Sequence, residues 1–308
     1  MTQVVTTTAT TAPGGAAGAP GDGPQVAAVP RLRVLTHLLR TPLALTGLVM
    51  LAVVVLAGVL APWIAPYAPE QVHFDAPFQL PGTVGFALGT DDLGRDILSR
   101  MLWGVRASLT VGLLAVVLAV VVGTPLGLAA GYWRWLDAPI SRLTDVTLAF
   151  PFLVLAVGLA AISGPSLTNA AIALGVAQVP TMIRVVRGET LRVREHEFVQ
   201  AAVAMDASGP RILAQHVLPN CLSAVIVQAT VIMPVAVLGE AVLSFLGLGI
   251  QPPTPSLGIM LADAQQYLSR TPWPALFPGL AIVVVCLGFN LVGDALRDAL
   301  DPSTSDRK

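Results

Sequence analysis

Charge is what this 308-residue chain has least of: Asp, Glu, Lys and Arg make up 11% of it, against roughly 25% in an ordinary soluble domain. With 55% hydrophobic residues and a mean hydropathy of +0.76, the expected solvent is lipid rather than water. Lysine is confined to Lys308. A phosphate-cradling G-x-x-x-x-G-K-[ST] loop is therefore excluded, and any ATP hydrolysis serving this chain belongs to another polypeptide. Cys221 and Cys286 stand far apart in apolar runs, which points to packing rather than a disulfide or a metal site. The sequence also lacks H-E-x-x-H, G-x-S-x-G and paired carboxylates in its apolar runs, and His37, His73, His196 and His216 fall outside those runs. An intramembrane enzyme has nothing to work with. A net charge of -1 with no strongly basic segment leaves no footprint for nucleic acid.

Long apolar runs are abundant. Residues 1–30 are Thr, Ala, Gly and Pro with one charge, Asp22, and are expected to be a disordered tail. The run Leu43 to Ala61 follows Arg31, Arg33 and Arg40. It exceeds the 7 to 15 residues of a signal-peptide core and matches the roughly 20 helical residues that cross a bilayer. Further spans are expected at about 107–131, 143–163, 169–187, 221–248 and 275–293, giving an all-α integral membrane domain of six helices over residues 31–308. Pro125, Pro151, Pro180, Pro234 and Pro278 fall inside these spans and predict kinks.

Arg31, Arg33, Arg40, Arg134, Arg142, Arg184, Arg187, Arg192, Arg194, Arg211, Arg297, Arg307 and Lys308 lie on one side of that topology, whereas Arg95, Arg100, Arg106 and Arg270 lie on the other. The first side is cytoplasmic by the positive-inside rule, so both termini face inward and 188–220 is the longest inward loop. Outside, Leu93, Ile97, Leu98, Met101, Leu102 and Val105 recur at helical spacing, predicting a helix along the interface with Asp91 or Asp92 as its cap.

The inward loop reads as helix, turn, helix. Phe198, Ala201, Ala202 and Met205 share one face; a break falls at Asp206; Ser208 offers a capping oxygen, Pro210 suits a first turn, and Pro219 punctuates the start of the next span. Such a hairpin is either a surface loop or a rigid lever carrying the motion of a docked soluble domain into the bilayer. Glu240 lies inside the fifth span, where an ionisable group costs a few kcal/mol unless it faces protein or water. It lines a translocation path or gate, or it makes an interhelical hydrogen bond. Gln228, Asn290 and Asp145 are weaker polar candidates of the same kind.

The loop resembles the coupling loop of ABC importer permeases, with Gln200-Ala201-Ala202, Asp206 and His216-Val217-Leu218-Pro219 at the positions of Glu-Ala-Ala, Gly and Ile-x-Leu-Pro. Leu88 to Asp96, Ser244 to Gly258 and Gly293 to Pro302 are similar to signatures of the C-type subunit of the dipeptide, oligopeptide and nickel permeases, so the likeness covers roughly residues 31–302. The resemblance implies a type I importer fold and a heterodimer with a homologous permease. It also implies two ATPase subunits holding ATP and Mg, and an extracytoplasmic solute-binding protein. No cofactor is expected on this chain. It assigns ATPase coupling to Glu197, Gln200, Ala201, Ala202, Met205, Asp206, Ala207, Ser208, Arg211, His216, Leu218 and Pro219. Asp206 stands where the family has Gly. The cargo implied is a peptide or another small solute, nickel being the alternative. An ion-coupled transporter would share the kinked spans, but it predicts inverted repeats and a second buried acid beside Glu240, and neither is evident.

Overall fold

A computed structural model describes residues 41–300, and the described part contains helices and loops but no strand beyond two isolated bridges. The expected tail at 1–30 and the last residues, 301–308, lie outside it. Helix α1 (Pro42–Ile64) begins with Pro42 in the first turn, where the missing N–H costs nothing. Next come α2 (Ile97–Tyr132), α3 (Arg134–Leu148), α4 (Phe152–Ser163) and α5 (Leu167–Val193). Two short helices, α6 (Glu197–Ala204) and α7 (Gly209–Ile212), lead through a π-turn at Leu213–Val217 into α8 (Leu218–Phe245). The chain closes with α9 (Leu257–Ala264), a 3-10 turn at Gln265–Tyr267, and α10 (Trp273–Leu300). Five helices are long and apolar enough to cross a membrane, and a bent pair makes a sixth candidate.

That pair covers the span expected at 143–163, and the kink expected at Pro151 is a sharp break between two helices. Helices α3 and α4 meet at 91°. Pro151 disfavours helical geometry at Phe150 and itself becomes the extended N-cap of α4, so the two halves cannot continue one another. Elsewhere the prolines sit inside unbroken helices: Pro125 in α2, Pro180 in α5, Pro234 in α8 and Pro278 in α10.

The separate interfacial helix expected over 93–105 does not form. Gly94 closes a turn at φ +72°, and α2 starts at Ile97 and runs unbroken for 36 residues, about 54 Å at 1.5 Å per residue. Its cap is neither Asp91 nor Asp92 but Asp96, whose Oδ2 accepts from the Ser99 amide at 2.8 Å and from the Ser99 hydroxyl at 2.6 Å.

The most extensive helix pairing is α2 on α5. Gly123, Gly127 and Gly131 recur every four residues along one face of α2, against Met182, Val186 and Thr190 at the same spacing on α5. A Cβ on Gly127 would stand 2.7 Å from Val186 Cβ, so the missing side chains set the close approach of the two backbones. Three clusters of buried apolar side chains fill the bundle. One of them, holding Leu128, Met182, Val186 and Cys221, continues into the α6–α7 hairpin through Val199, Ala202, Ile212 and Val217.

Candidate functional site

The α6–α7 hairpin is short and apolar underneath. Helix α6 buries Val199 and Ala202, each 2% exposed, and α7 buries Ile212 at 1%. The expected face of Phe198, Ala201, Ala202 and Met205 is therefore split. Ala202 packs down and Phe198 is half-buried, while Ala201 is exposed and Met205 is 77% exposed beside Val203 at 55%. Phe198 leans on both loop histidines, stacking with His196 at 5.6 Å between ring centroids and tilting against His216 at 6.4 Å. Val199 and Ala202 are three residues apart, and 199, 202, 212, 213 and 217 form the hairpin's floor. The apolar spacing of Val199 and Ala202 is the sequence signal for that floor.

The turn is a Schellman motif. The Ala207 amide donates to the Ala202 carbonyl at 3.1 Å and the Asp206 amide donates to the Val203 carbonyl at 3.0 Å, the pair of bonds that closes a helix on a left-handed residue. Asp206 is that residue, with φ +59°. It ends α6 rather than capping the helix that follows. Ser208 occupies the N-cap of α7 but makes no side-chain capping bond; its backbone carbonyl accepts from Ile212, and Pro210 falls in the first turn as expected. Pro219 marks the start of α8, as expected. It sits in the first turn of α8, and the segment Gly209–Phe245 is one helical rod of 37 residues, with the π-turn absorbing the join.

Further bonds pin the hairpin to the ends of α2 and α8. Arg194 Nη1 donates to the Gly131 carbonyl at 3.0 Å, and Asn220 Nδ2 donates to the His216 carbonyl at 2.6 Å. Gln200 Nε2 reaches the Glu195 carbonyl at 3.2 Å, which keeps this side chain on its own hairpin. Gly209 packs beside Tyr132 and Trp133. Glu197, Ser208 and Arg211 are exposed, Ala207 and Leu218 half-buried.

Glu240 is fully buried. The Ser108 hydroxyl on α2 donates to its Oε2 at 2.6 Å, the Ser244 hydroxyl donates to Oε1 at 2.7 Å, and Ser256 brings a third hydroxyl close. The carboxylate thus joins α2, α8 and the start of α9, the contacts that the interhelical alternative calls for. Ser108 is 132 residues away in sequence, and no local pattern could have named it. Gln228 is half-buried on α8, Asn290 is exposed on α10, and Asp145 sits on α3 with its Oδ1 accepting from Arg184 at 2.7 Å.

At the opposite end of the bundle, Asp91 organises the turn before α2. Its Oδ1 accepts from the Leu93 and Arg95 amides at 3.0 and 2.9 Å, and its Oδ2 pairs with Arg100 at 2.6 Å and Arg95 at 2.7 Å. Asp263, in α9, joins the same two guanidiniums at 3.3 and 3.4 Å. Burial, with the negative charge of Asp91 adding to it, pushes the neighbouring Asp92 carboxyl above the usual carboxylate range.

Residues 123–306 match the family model described as binding-protein-dependent transport system inner membrane component, and residues 30–81 match the N-terminal transmembrane domain of oligopeptide transport permease C. The dipeptide transport system permease protein DppC of Alkalihalophilus pseudofirmus is 44% identical over 92% of this chain and 93% of its own length. The di/tripeptide transport system permease protein DppC of Pseudomonas aeruginosa is 44% identical over 84% and 88%. The glutathione transport system permease protein GsiD of an Escherichia coli strain is 41% identical over 85% and 87%. With a bundle of apolar helices, a rigid hairpin continuous with a spanning rod, and homology along nearly its whole length, the chain belongs to the family of binding-protein-dependent transport system inner membrane components, the permease subunits of ABC transport systems.

Proposed function

We propose that this chain carries small peptides across a prokaryotic cell membrane as one half of a permease heterodimer, both of its termini facing the cytoplasm. Cytoplasmic ATPase subunits hold ATP and Mg and grip the hairpin from Glu197 to Pro219, and an extracytoplasmic binding protein delivers the peptide. The peptide assignment is supported by relatives whose names specify dipeptides, di/tripeptides and glutathione at similar identity. The orientation is supported by the concentration of arginine on the hairpin side of the topology. Gln228 and Asn290 are the polar groups assigned to the translocation path; Glu240 is assigned to holding the helices that flank it.

The observation carrying the coupling assignment is the hairpin's two-sidedness. Ala201, Val203 and Met205 face away from the protein on a helix whose other face is fully packed. The hairpin runs without a break into Gly209–Phe245, so a push on the exposed face is delivered to a rod that crosses the membrane. An Ala201→Arg variant adds bulk and charge only to the exposed side. Co-expressed with its partners and purified in lipid, it is expected to insert and melt like the parent, while losing ATPase retention and peptide uptake. Uptake that ignores this substitution and needs no ATPase partner would sink the proposal in favour of ion-coupled transport.

A further inference from the structure

Helices α1, α2, α8 and α10 leave a groove of about 700 Å³ between them, within the roughly 300–1,000 Å³ of small-molecule sites. Its α2 wall runs along one helical face from Arg106 through Leu113 to Val120, 14 residues or about 21 Å along the axis. Trp63 stands at the Arg106 end, and Ile226 on α8 lies toward the other. The groove is thus a slot parallel to the spans, somewhat longer than the ~15 Å of one leaflet of a ~30 Å hydrocarbon core.

Sixteen residues line it, and their polar side chains are the Trp63 indole, Arg106, Thr110 and Thr230. A peptide backbone needs hydrogen-bond partners at every residue, which such a wall does not supply. An acyl chain needs none. Arg106 is exposed at the mouth of the slot, its guanidinium lying over the Trp103 ring at 5.4 Å, and among the described residues it makes no ion pair. Of the other arginines of this end, Arg95 and Arg100 are both committed to carboxylates. A guanidinium at a membrane boundary, flanked by two tryptophans and heading an apolar slot, has the chemistry of a phosphate-headgroup contact.

We propose that this groove binds a phospholipid, with its phosphate on Arg106 and one acyl chain laid along α2 toward Val120. Its assignment to the outer leaflet rests on the orientation proposed above. Retention of the lipid does not, so the two can fail separately.

The test is native mass spectrometry of the whole transporter, purified with its partners from nanodiscs of phosphatidylglycerol and phosphatidylcholine, counting phospholipid that survives detergent exchange. One retained phospholipid per copy of this subunit is expected. Arg106→Gln should lower retention about tenfold, as expected for loss of a hydrogen bond to a charged group. Arg106→Lys should largely preserve it, because lysine still meets phosphate as a point charge. Ala229→Phe fills the slot from α8 and should lower retention with the guanidinium intact. Equal retention in parent, Arg106→Gln and Ala229→Phe would overturn the proposal. So would efficient disulfide cross-linking of Leu113→Cys to the partner permease, because protein would then occupy the groove.

Discussion

A left-handed non-glycine residue at a helix end is a small strain with an identifiable position, and Asp206 carries it here. Glycine at 206 would relieve part of the ~1–2 kcal/mol that a left-handed conformation costs an L residue, but it adds roughly 0.5–1 kcal/mol of chain entropy to be lost on folding. The two nearly cancel. Asp206→Gly is therefore expected to leave thermal stability and ATPase retention close to the parent. Asp206→Val has the full cost with no local hydrogen bonding in return, and should lose about 1–2 kcal/mol and part of its ATPase in pull-down. Equal behaviour of the two variants would contradict the Schellman geometry.

Glu240 gives the second test at this scale. Glutamine keeps one acceptor and adds a donor that a serine oxygen can receive, so Glu240→Gln should melt near the parent temperature and sustain uptake. Glu240→Leu removes the acceptor of the buried Ser108 hydroxyl and of Ser244, which keeps only the Ile250 amide, and should cost about 1–3 kcal/mol for a hydroxyl left unsatisfied. A Glu240→Gln protein that is stable but unable to transport would return this residue to the translocation path.

Two glycines on different helices show how packing is decided between elements. A Cβ at Gly127 meets Val186 Cβ at 2.7 Å and the Ile183 carbonyl at 2.9 Å, whereas one at Gly158 on α4 meets nothing within 4 Å. Gly127→Ala should push α2 off α5 and lose on the order of 1–3 kcal/mol as an overpacked contact. Gly158→Ala should gain roughly 0.5–1 kcal/mol from helix propensity alone. Detergent melting curves of the two variants should shift in opposite directions. Composition made both positions look alike, as glycines in apolar runs; only the neighbouring helix distinguishes them. The same limit explains the spans. Hydrophobic length located the five long helices and the bent pair, yet the 91° angle between α3 and α4 and the uninterrupted passage from α7 into α8 are not contained in it. Pro151 is expected inside a span and Pro219 at the start of one, yet the chain breaks at the first and the helix continues through the second.

Across the whole molecule, charge sits at the two ends of the bundle and binds distant segments there. Asp91, Arg95, Arg100 and Asp263 tie the turn before α2 to α9, and Asp92 lies beside them with its carboxyl shifted upward by burial and by Asp91. A group whose folded pKa is raised favours folding below its unfolded pKa, and that contribution is lost as pH rises through the folded value. Ionised Asp92 therefore burdens the folded state at neutral pH. Asp92→Asn should raise stability at neutral pH and flatten the part of the pH dependence that runs upward from the ordinary carboxylate range. Melting temperatures of parent and variant across mildly acidic to neutral pH would decide it; parallel profiles would refute the assignment.

Scarcity of charge and the length of the apolar runs determined from sequence alone that this is a polytopic membrane protein, and the sequence has no G-x-x-x-x-G-K-[ST] loop. Arginine asymmetry and the Ala201-Ala202 to Pro219 spacing singled out the hairpin that is proposed above to face the cytoplasm and to couple. Those properties are local or periodic, so one dimension carries them. Which face of α6 is buried, that Asp206 closes a helix instead of opening one, that Glu240 is held by Ser108, and that Arg106 heads an apolar slot were decided by tertiary structure. Each depends on groups from helices far apart in sequence, and their meeting is set by close packing of whole helices rather than by the composition of any one of them.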